Sequence, residues 1–302
     1  MHRQANYIVF QCYGNARVFY ECEFALLSLS GTQGSEELSN TEIWIYTDNT
    51  KWFSAFNDCN LQLHFREIDT GTIKKWRGEI DFVHRVKIEV LRDLVKTKKG
   101  NILYVDSDVV FTNNIDKMLQ NINSGTLYMH TMEGLINETD NTVFRKLSKF
   151  IRSQGNNLLN GKPLYEMAMW NAGVIGFNTQ HEHLMDEVLT FTDQQYPKFR
   201  KHIIEQFAFS VYFQQAGSIK SAAQYVYHYW KLKEADDILK SFFDYFKGHS
   251  WSDLTTYSTM IQIPMLMQEK GVFYIDRSLA GKIMKKRWEP PRPDWPELLK
   301  QI

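Results

Sequence analysis

Residues 102–111 read Ile-Leu-Tyr-Val-Asp-Ser-Asp-Val-Val-Phe. An uninterrupted apolar run, Ile102 to Val105, delivers two aspartates separated by one serine. Such a run fits a strand covered on both faces, which is how parallel strands are buried in α/β proteins. Asp106 and Asp108 then fall where that strand ends. In an open α/β sheet, ligands bind in the crevice beyond the carboxyl ends of the strands. Two carboxylates there repel one another unless protons or a cation relieve them. A hard divalent ion, Mn²⁺ or Mg²⁺, takes carboxylate oxygens together with substrate phosphates. The feature therefore predicts a metal–diphosphate site at the edge of a parallel sheet. An Asp-rich turn closing a strand is the plainer alternative.

The flanking sequence supplies the rest of such a sheet. Residues 7–12 read as a first strand, closed by the turn residues Tyr13-Gly14-Asn15. A helix is predicted over 17–30, a second strand over 42–47 ending at Asp48, and a third over 61–67. Residues 81–96 make an amphipathic helix, with Phe82, Val86, Val90 and Leu94 on one face. This alternation predicts an α/β fold with a mostly parallel sheet flanked by helices. Past the triplet, strands are expected at 125–130, 172–177 and 225–228, and helices at 141–153, 180–193 and 201–215. Residues 233–247, 252–268 and 278–287 read as helical, and the proline-rich 290–296 as extended.

Composition narrows the function classes. Lys+Arg and Asp+Glu are both 35 in 302 residues, so the basic surplus of a nucleic-acid binder is missing. Cys12, Cys22 and Cys59 make no disulfide framework, and reduced thiols fit a cytoplasmic location. The residues before Tyr7 are too few for a signal peptide's apolar region, and no apolar run reaches the length of a membrane span. The segment Lys285-Lys286-Arg287-Trp288, with Trp295 behind it, offers either a contact with an anionic bilayer at the inner membrane face or a packed cap.

Four further groups of residues invite a functional reading. Asn171-Ala172-Gly173 joins an amide able to donate and accept with two small residues that let a ligand approach the backbone. Glu205-Gln206 opens an otherwise apolar helix. His228 ends a strand, where a neutral imidazole can ligate a metal. Arg85 and Lys87 sit near the start of the helix before the aspartates and suit a phosphate. A glycine turn, a solvated helix face, a core histidine and ordinary surface charges are the respective alternatives.

Taken in order, these elements resemble the nucleotide-sugar glycosyltransferases of the GT-A fold. The match is to the retaining family 8 type, which includes glycogenin and bacterial lipopolysaccharide galactosyltransferases. The matching residues are Asp106-Ser107-Asp108, Trp170-Asn171-Ala172-Gly173-Val174, Glu205-Gln206 and His228, over about residues 5–232. Glu205 stands where the family has Asp, Phe207 replaces a second acid, and Tyr229-Trp230-Lys231 follows the histidine in place of the family's Gly and Lys-Pro-Trp. The resemblance implies a GT-A catalytic domain over 1–232 and a mainly helical C-terminal extension over 233–302.

It also implies a metal-dependent hexosyltransferase that takes a nucleoside diphosphate sugar, with UDP as the carrier, and a glycan or glycolipid acceptor. Asp106, Asp108 and His228 would hold Mn²⁺ or Mg²⁺. Asp106, Ser107, Arg85 and Lys87 would meet the nucleotide or phosphates, and Cys12, Tyr13, Gly14, Asn15 and Asp48 the base and ribose. Asn171 and Ala172 would line the sugar, Glu205 and Gln206 its reacting side, and Lys231 the departing diphosphate. Retention is the implied outcome. An inverting GT-A enzyme with Glu205 as base, an inactive nucleotide-sugar binder, a nucleotidyltransferase and a different GT-A family remain as alternatives.

Overall fold

The computed structural model describes residues 4–33, 38–55, 58–154, 158–159, 161–278, 286–300 and 302. Its strands are β1 (Asn6–Cys12), β2 (Thr41–Thr47), β3 (Gln62–Glu67), β4 (Asn101–Val105), β5 (Val109–Phe111), β6 (Leu127–Met129), β7 (Met132–Leu135), β8 (Leu158–Leu159), β9 (Lys162–Pro163), β10 (Ala168–Trp170), β11 (Val174–Asn178), β12 (Ile219–Ser221) and β13 (Val226–His228). The helices are α1 (Ala16–Thr32), α2 (Thr70–Arg77), α3 (Arg85–Thr97), α4 (Asp116–Asn123), α5 (Thr142–Ser153), α6 (Leu184–Gln195), α7 (Ile203–Ala216), α8 (Ala235–Tyr245), α9 (Trp251–Ser258) and α10 (Ile263–Asp276).

Seven strands form the central sheet in the order β12-β6-β11-β4-β1-β2-β3. The β3-β2-β1-β4 side is parallel throughout; β11 runs antiparallel to β4 and β6, and β12 is parallel to β6. All of β4 is buried. Its alternate residues feed opposite layers: Leu103 and Val105 pack with α1, α4 and α8, Ile102 and Tyr104 with α3, α6 and α7. Burial on both faces is what the continuous apolar run demanded.

Several expected boundaries shift for identifiable reasons. The helix predicted from residue 81 begins at Arg85, because Asp81 has a positive φ of 49° and the chain turns there. Before it lies α2, which the sequence pattern missed; Asp69 caps it by accepting from the Thr72 N–H, and only Ile73 and Trp76, both half-buried, pack on the core, too short a stripe to read. The segment 252–268 is two helices, α9 and α10, broken before Pro264. Trp295 and Pro296 open a short helix, Trp295–Leu299, rather than extending, since proline is tolerated in a first turn. Most of the predicted helix at 278–287 lies outside the described residues, and Lys286 and Arg287 are not helical.

The described residues after 232 share their core with the rest of the chain. Leu239, Phe242, Trp251, Ile263, Trp288 and Trp295 belong to the same apolar cluster as α1, and Arg17 of α1 reaches Asp236 at 3.4 Å. The aromatic part of the basic segment, Trp288 and Trp295, is thus spent on packing rather than offered to a bilayer. Lys285 lies outside the described residues. No helix among the described residues is long and apolar enough to cross a membrane.

Candidate metal and donor site

Asp106 and Asp108 stand immediately after β4, at the carboxyl ends of the parallel strands. Two short structures beyond that edge bring partners to them. First, β11 returns antiparallel beside β4, so the Asp106 N–H donates to the Gly173 carbonyl at 2.8 Å, and the Asn171–Gly173 turn lies against the aspartates. Second, β5 pairs with β13 in the register Val109↔His228, and the Tyr229 N–H donates to the Asp108 carbonyl at 3.0 Å. That ribbon sets His228 Nε2 at 3.0 Å from Asp108 Oδ1 and 3.8 Å from Asp106 Oδ2.

Donor atoms from Asp106, Asp108 and His228 all lie within 4.8 Å of one another. Two hard oxygens and one imidazole nitrogen suit Mn²⁺, and Mg²⁺ less well because of the nitrogen. The donor chemistry therefore fits the ion that the sequence implied. Burial opposes ionisation of Asp108, yet contact with His228, backed by Lys233, holds its carboxyl below the usual aspartate range.

Behind this group sits a buried cation. Lys87, from the first turn of α3, places Nζ 3.1 Å from Asp106 Oδ1, 3.5 Å from Glu205 Oε1 and 2.9 Å from the Ala172 carbonyl. Burial disfavours its charge, but the Asp106 and Glu205 carboxylates outweigh that and hold its pKa above the ordinary lysine value. The Tyr104 hydroxyl donates to Asp106 Oδ1 at 2.9 Å. Asp106 is therefore oriented by two donors before any ligand arrives.

Glu205 sits in the first turn of α7, and α7 is tied to β10 by Ser210, which accepts from the Trp170 N–H, and by Gln214, which bonds both backbone groups of Ala168. Burial pushes the Glu205 carboxyl up to about 7, with Lys87 pulling it down and Asp106 adding to the rise. Its neighbour Gln206 donates to Glu133 Oε2 at 2.7 Å.

These groups line a cavity of about 910 Å³. Lys87, Asp106, Asp108, Asn171, Ala172, Glu205, Gln206, His228 and Lys231 from the sequence prediction all reach it. Glu133, His84, His130, His202, Tyr227, Trp230 and Lys233 line it as well, unpredicted, and Met267 reaches it from α10. Burial lowers both His84 and His130 to about 4, with Lys87 and His228 respectively adding to the effect. A volume of this size suits a ligand of several rings.

Other predicted residues lie elsewhere. The Arg85 guanidinium bonds Asp193 at 2.7 Å and Glu89 and the Trp76 carbonyl at 2.7–2.8 Å, which ties α3 to α6 and leaves it away from the cavity. Its neighbours on the helix face offered no sequence signal for that, because Asp193 is 108 residues away. Cys12 is a fully buried core thiol, its titration pushed up by burial. Asn15 caps α1 by accepting from the Arg17 N–H, and the Gly14 N–H, at φ 89°, donates to Asp48 Oδ2 at 3.0 Å. Together with Tyr13 these residues sit at the ends of β1 and β2, outside the lining of the cavity. Ser107 points back into the protein and donates to the buried Glu21 at 3.1 Å.

No family model and no curated protein sequence matches the chain. Among solved structures, the apo form of the glycosyltransferase GlyE of Streptococcus pneumoniae TIGR4 superposes with a TM-score of 0.50 at 14% identity, over 84% of this chain and 63% of that one. A second GlyE crystal structure gives 0.43 at 14% identity, covering 80% and 50%. The galactosyltransferase LgtC in complex with donor and acceptor sugar analogues gives 0.44 at 10%, covering 68% and 70%. Apo mouse xyloside xylosyltransferase 1 gives 0.46 at 12%, covering 72% and 85%. The chain spans between 50% and 63% of the length of the GlyE structures. The likeness to apo GlyE, with the strand order above, shows the GT-A fold that the sequence predicted.

Proposed function

We propose that the protein is a metal-dependent glycosyltransferase that moves a hexosyl group from a UDP-sugar to a hydroxyl of a glycan or glycolipid, with retention, in the manner of family 8. The observation that carries this reading is the convergence of Asp106, Asp108 and His228 at the end of β4, facing one large cavity in a GT-A fold. When bound, the ion supplies positive charge to the diphosphate leaving group.

The chain's own residues do the rest. Asp106, Asp108 and His228 hold the ion, and Lys87, 3.1 Å from Asp106 Oδ1, aims that carboxylate. Ala172 lets the donor sugar approach the backbone, and Glu205 and Gln206 close its reacting side. Lys231, with Lys233 nearby, faces the departing phosphate. In the transfer, the acceptor oxygen bonds to the anomeric carbon as the carbon–phosphate oxygen bond breaks. The acceptor's proton passes to the diphosphate, so a retaining front-face transfer needs no protein base. Trp230 and Tyr227 offer aromatic surface against which an acceptor ring packs.

One observation favours a second reading. Glu205 Oε1 has Lys87 Nζ at 3.5 Å as its neighbour, and a carboxyl near 7 is poised as a general base for an inverting transfer. Incubation with UDP-sugars, Mn²⁺ and saccharide acceptors, followed by ¹H NMR of the first product, separates the two. An anomeric configuration equal to the donor's supports retention, and the opposite configuration supports Glu205 as base. Binding of UDP without turnover of any donor would reduce the protein to a nucleotide-sugar binder.

A further inference from the structure

Asn171 was expected to meet the donor sugar, but the residue is 6% exposed and each polar atom of its side chain is engaged by the protein. Its oxygen is identified by the backbone. The Gly173 N–H, which can only donate, points to Oδ1 at 3.0 Å. The amide nitrogen Nδ2 therefore faces the other way, and it donates to Glu133 Oε1 at 3.3 Å. His228 Nδ1 lies 2.9 Å from the same Oδ1. An amide oxygen carries no hydrogen, so the hydrogen of that contact belongs to Nδ1.

We infer that Glu133 and Asn171 form a relay that fixes the hydrogen of His228 on Nδ1 and leaves Nε2 as the metal-binding atom. The inference rests on the metal reading proposed above. A neutral imidazole carries one ring hydrogen, and the partner of one nitrogen decides which atom ligates. With Nδ1–H committed to Asn171, Nε2 faces Asp108 and Asp106 at 3.0 and 3.8 Å; a carboxylate oxygen only accepts, so without an ion the hydrogen of the 3.0 Å contact sits on Nε2, and that hydrogen is the one an ion displaces. Glycine at 173 is what lets the ring in, since a Cβ there would lie 2.2 Å from His228 Nδ1.

Glu133 reaches the relay through a flaw in a strand pair. In β7 and β10, Met169 pairs with Gly134 but Trp170 pairs with Met132, so the register skips Glu133. A bulge of this kind re-aims the extra side chain. Its second oxygen accepts from Gln206, which anchors the relay to α7. Glu133 and Asn171 are thus positioning residues that act through His228.

The test exchanges the two groups. In Asn171→Asp, a new carboxylate faces Glu133, and Mn²⁺ affinity should fall about 10–100-fold. In Glu133→Gln, one oxygen must serve two amide donors, and affinity should fall about tenfold. In the double variant, the amide introduced at 133 donates to the carboxylate introduced at 171, while its oxygen accepts from Gln206. Calorimetry with Mn²⁺ alone on the full chain should then return to within about twofold of the original affinity. Losses that simply add, or single variants that bind normally, overturn the relay. A long-range ¹H–¹⁵N spectrum of the metal-free, histidine-labelled protein should show hydrogen on His228 Nδ1 beside that on Nε2 facing Asp108, with the Nδ1 hydrogen lost in Asn171→Ala; a bare Nδ1 in the unmodified chain also overturns the relay. If the unmodified chain binds no Mn²⁺, the metal reading fails while the spectrum still decides the hydrogen position.

Discussion

The sheet up to Val105 and the chain beyond Asp106 are built differently. On the first side β1 and β2 have seven residues each, all four strands are parallel, and α1 and α3 cover opposite faces. On the second, β5, β6, β10, β12 and β13 have three residues each and mix directions. The regular side supplies a rigid edge and two aspartates. The irregular side supplies His228, Asn171, Glu133, Glu205 and Gln206, placed by a ribbon, a turn, a bulge and a helix start. Rigidity and chemistry are thus divided: long strands set where the site is, and short ones set what surrounds it.

Lys87 joins the two sides, and its removal is the severest break. Lys87→Met leaves Asp106 and Glu205 facing each other without their cation, which should cost about 3–5 kcal/mol in urea unfolding. Glu205→Gln added to it should recover part of that loss; no recovery would mean that the two carboxylates do not share the lysine. Next in size is Gly173→Ala. The added methyl displaces the His228 ring, and Mn²⁺ affinity measured by calorimetry should drop about 100-fold. Binding that survives would show that the ring is not held where the β5–β13 ribbon puts it.

Two smaller effects belong to the regular side and should leave the site alone. Arg85→Met removes charged hydrogen bonds to Glu89 and Asp193 and should cost about 2 kcal/mol of stability. UDP affinity should stay unchanged, and a marked loss of it would return Arg85 to the nucleotide. Glu23, buried in α1, has its carboxyl pushed up to about 8 by burial, against a hydrogen bond from Trp52. The folded chain therefore holds this proton more tightly than the unfolded chain. Its contribution is fully present below the ordinary glutamate pKa and is lost as pH rises toward 8. Glu23→Gln should flatten that decline and gain about 1 kcal/mol near pH 6 relative to the parent, read by urea unfolding across pH. An unchanged slope would mean that Glu23 stays ionised in the fold.

The same division explains what the sequence disclosed. Continuous apolar runs and an amphipathic helix announced β1, β2, β4 and α3, because burial on two faces leaves a compositional trace. The short α2, with only Ile73 and Trp76 half-buried on the core, left too little. Asp106, Asp108, Asn171, Glu205 and His228 were legible as motif residues, and each reaches the cavity. Glu133 was not, since a skipped register between two short strands has no signature in a single chain. Arg85 falls outside the cavity for the complementary reason: a cation near a helix start looks the same whether its anion is a ligand or a distant Asp193. Residues 12–15 and Asp48 were assigned by motif order, and local physics already employs Cys12 in the core, Asn15 as a cap and Asp48 on Gly14.

The most direct test of the metal–diphosphate site is isothermal titration of UDP into the full chain, with and without Mn²⁺, beside Asp108→Ala. Binding that requires Mn²⁺ and vanishes in the variant is the result this account predicts. Failure to bind UDP, and then GDP, in the presence of Mn²⁺, or binding untouched by Asp108→Ala, would contradict it and reduce Asp106-Ser107-Asp108 to a strand-ending turn.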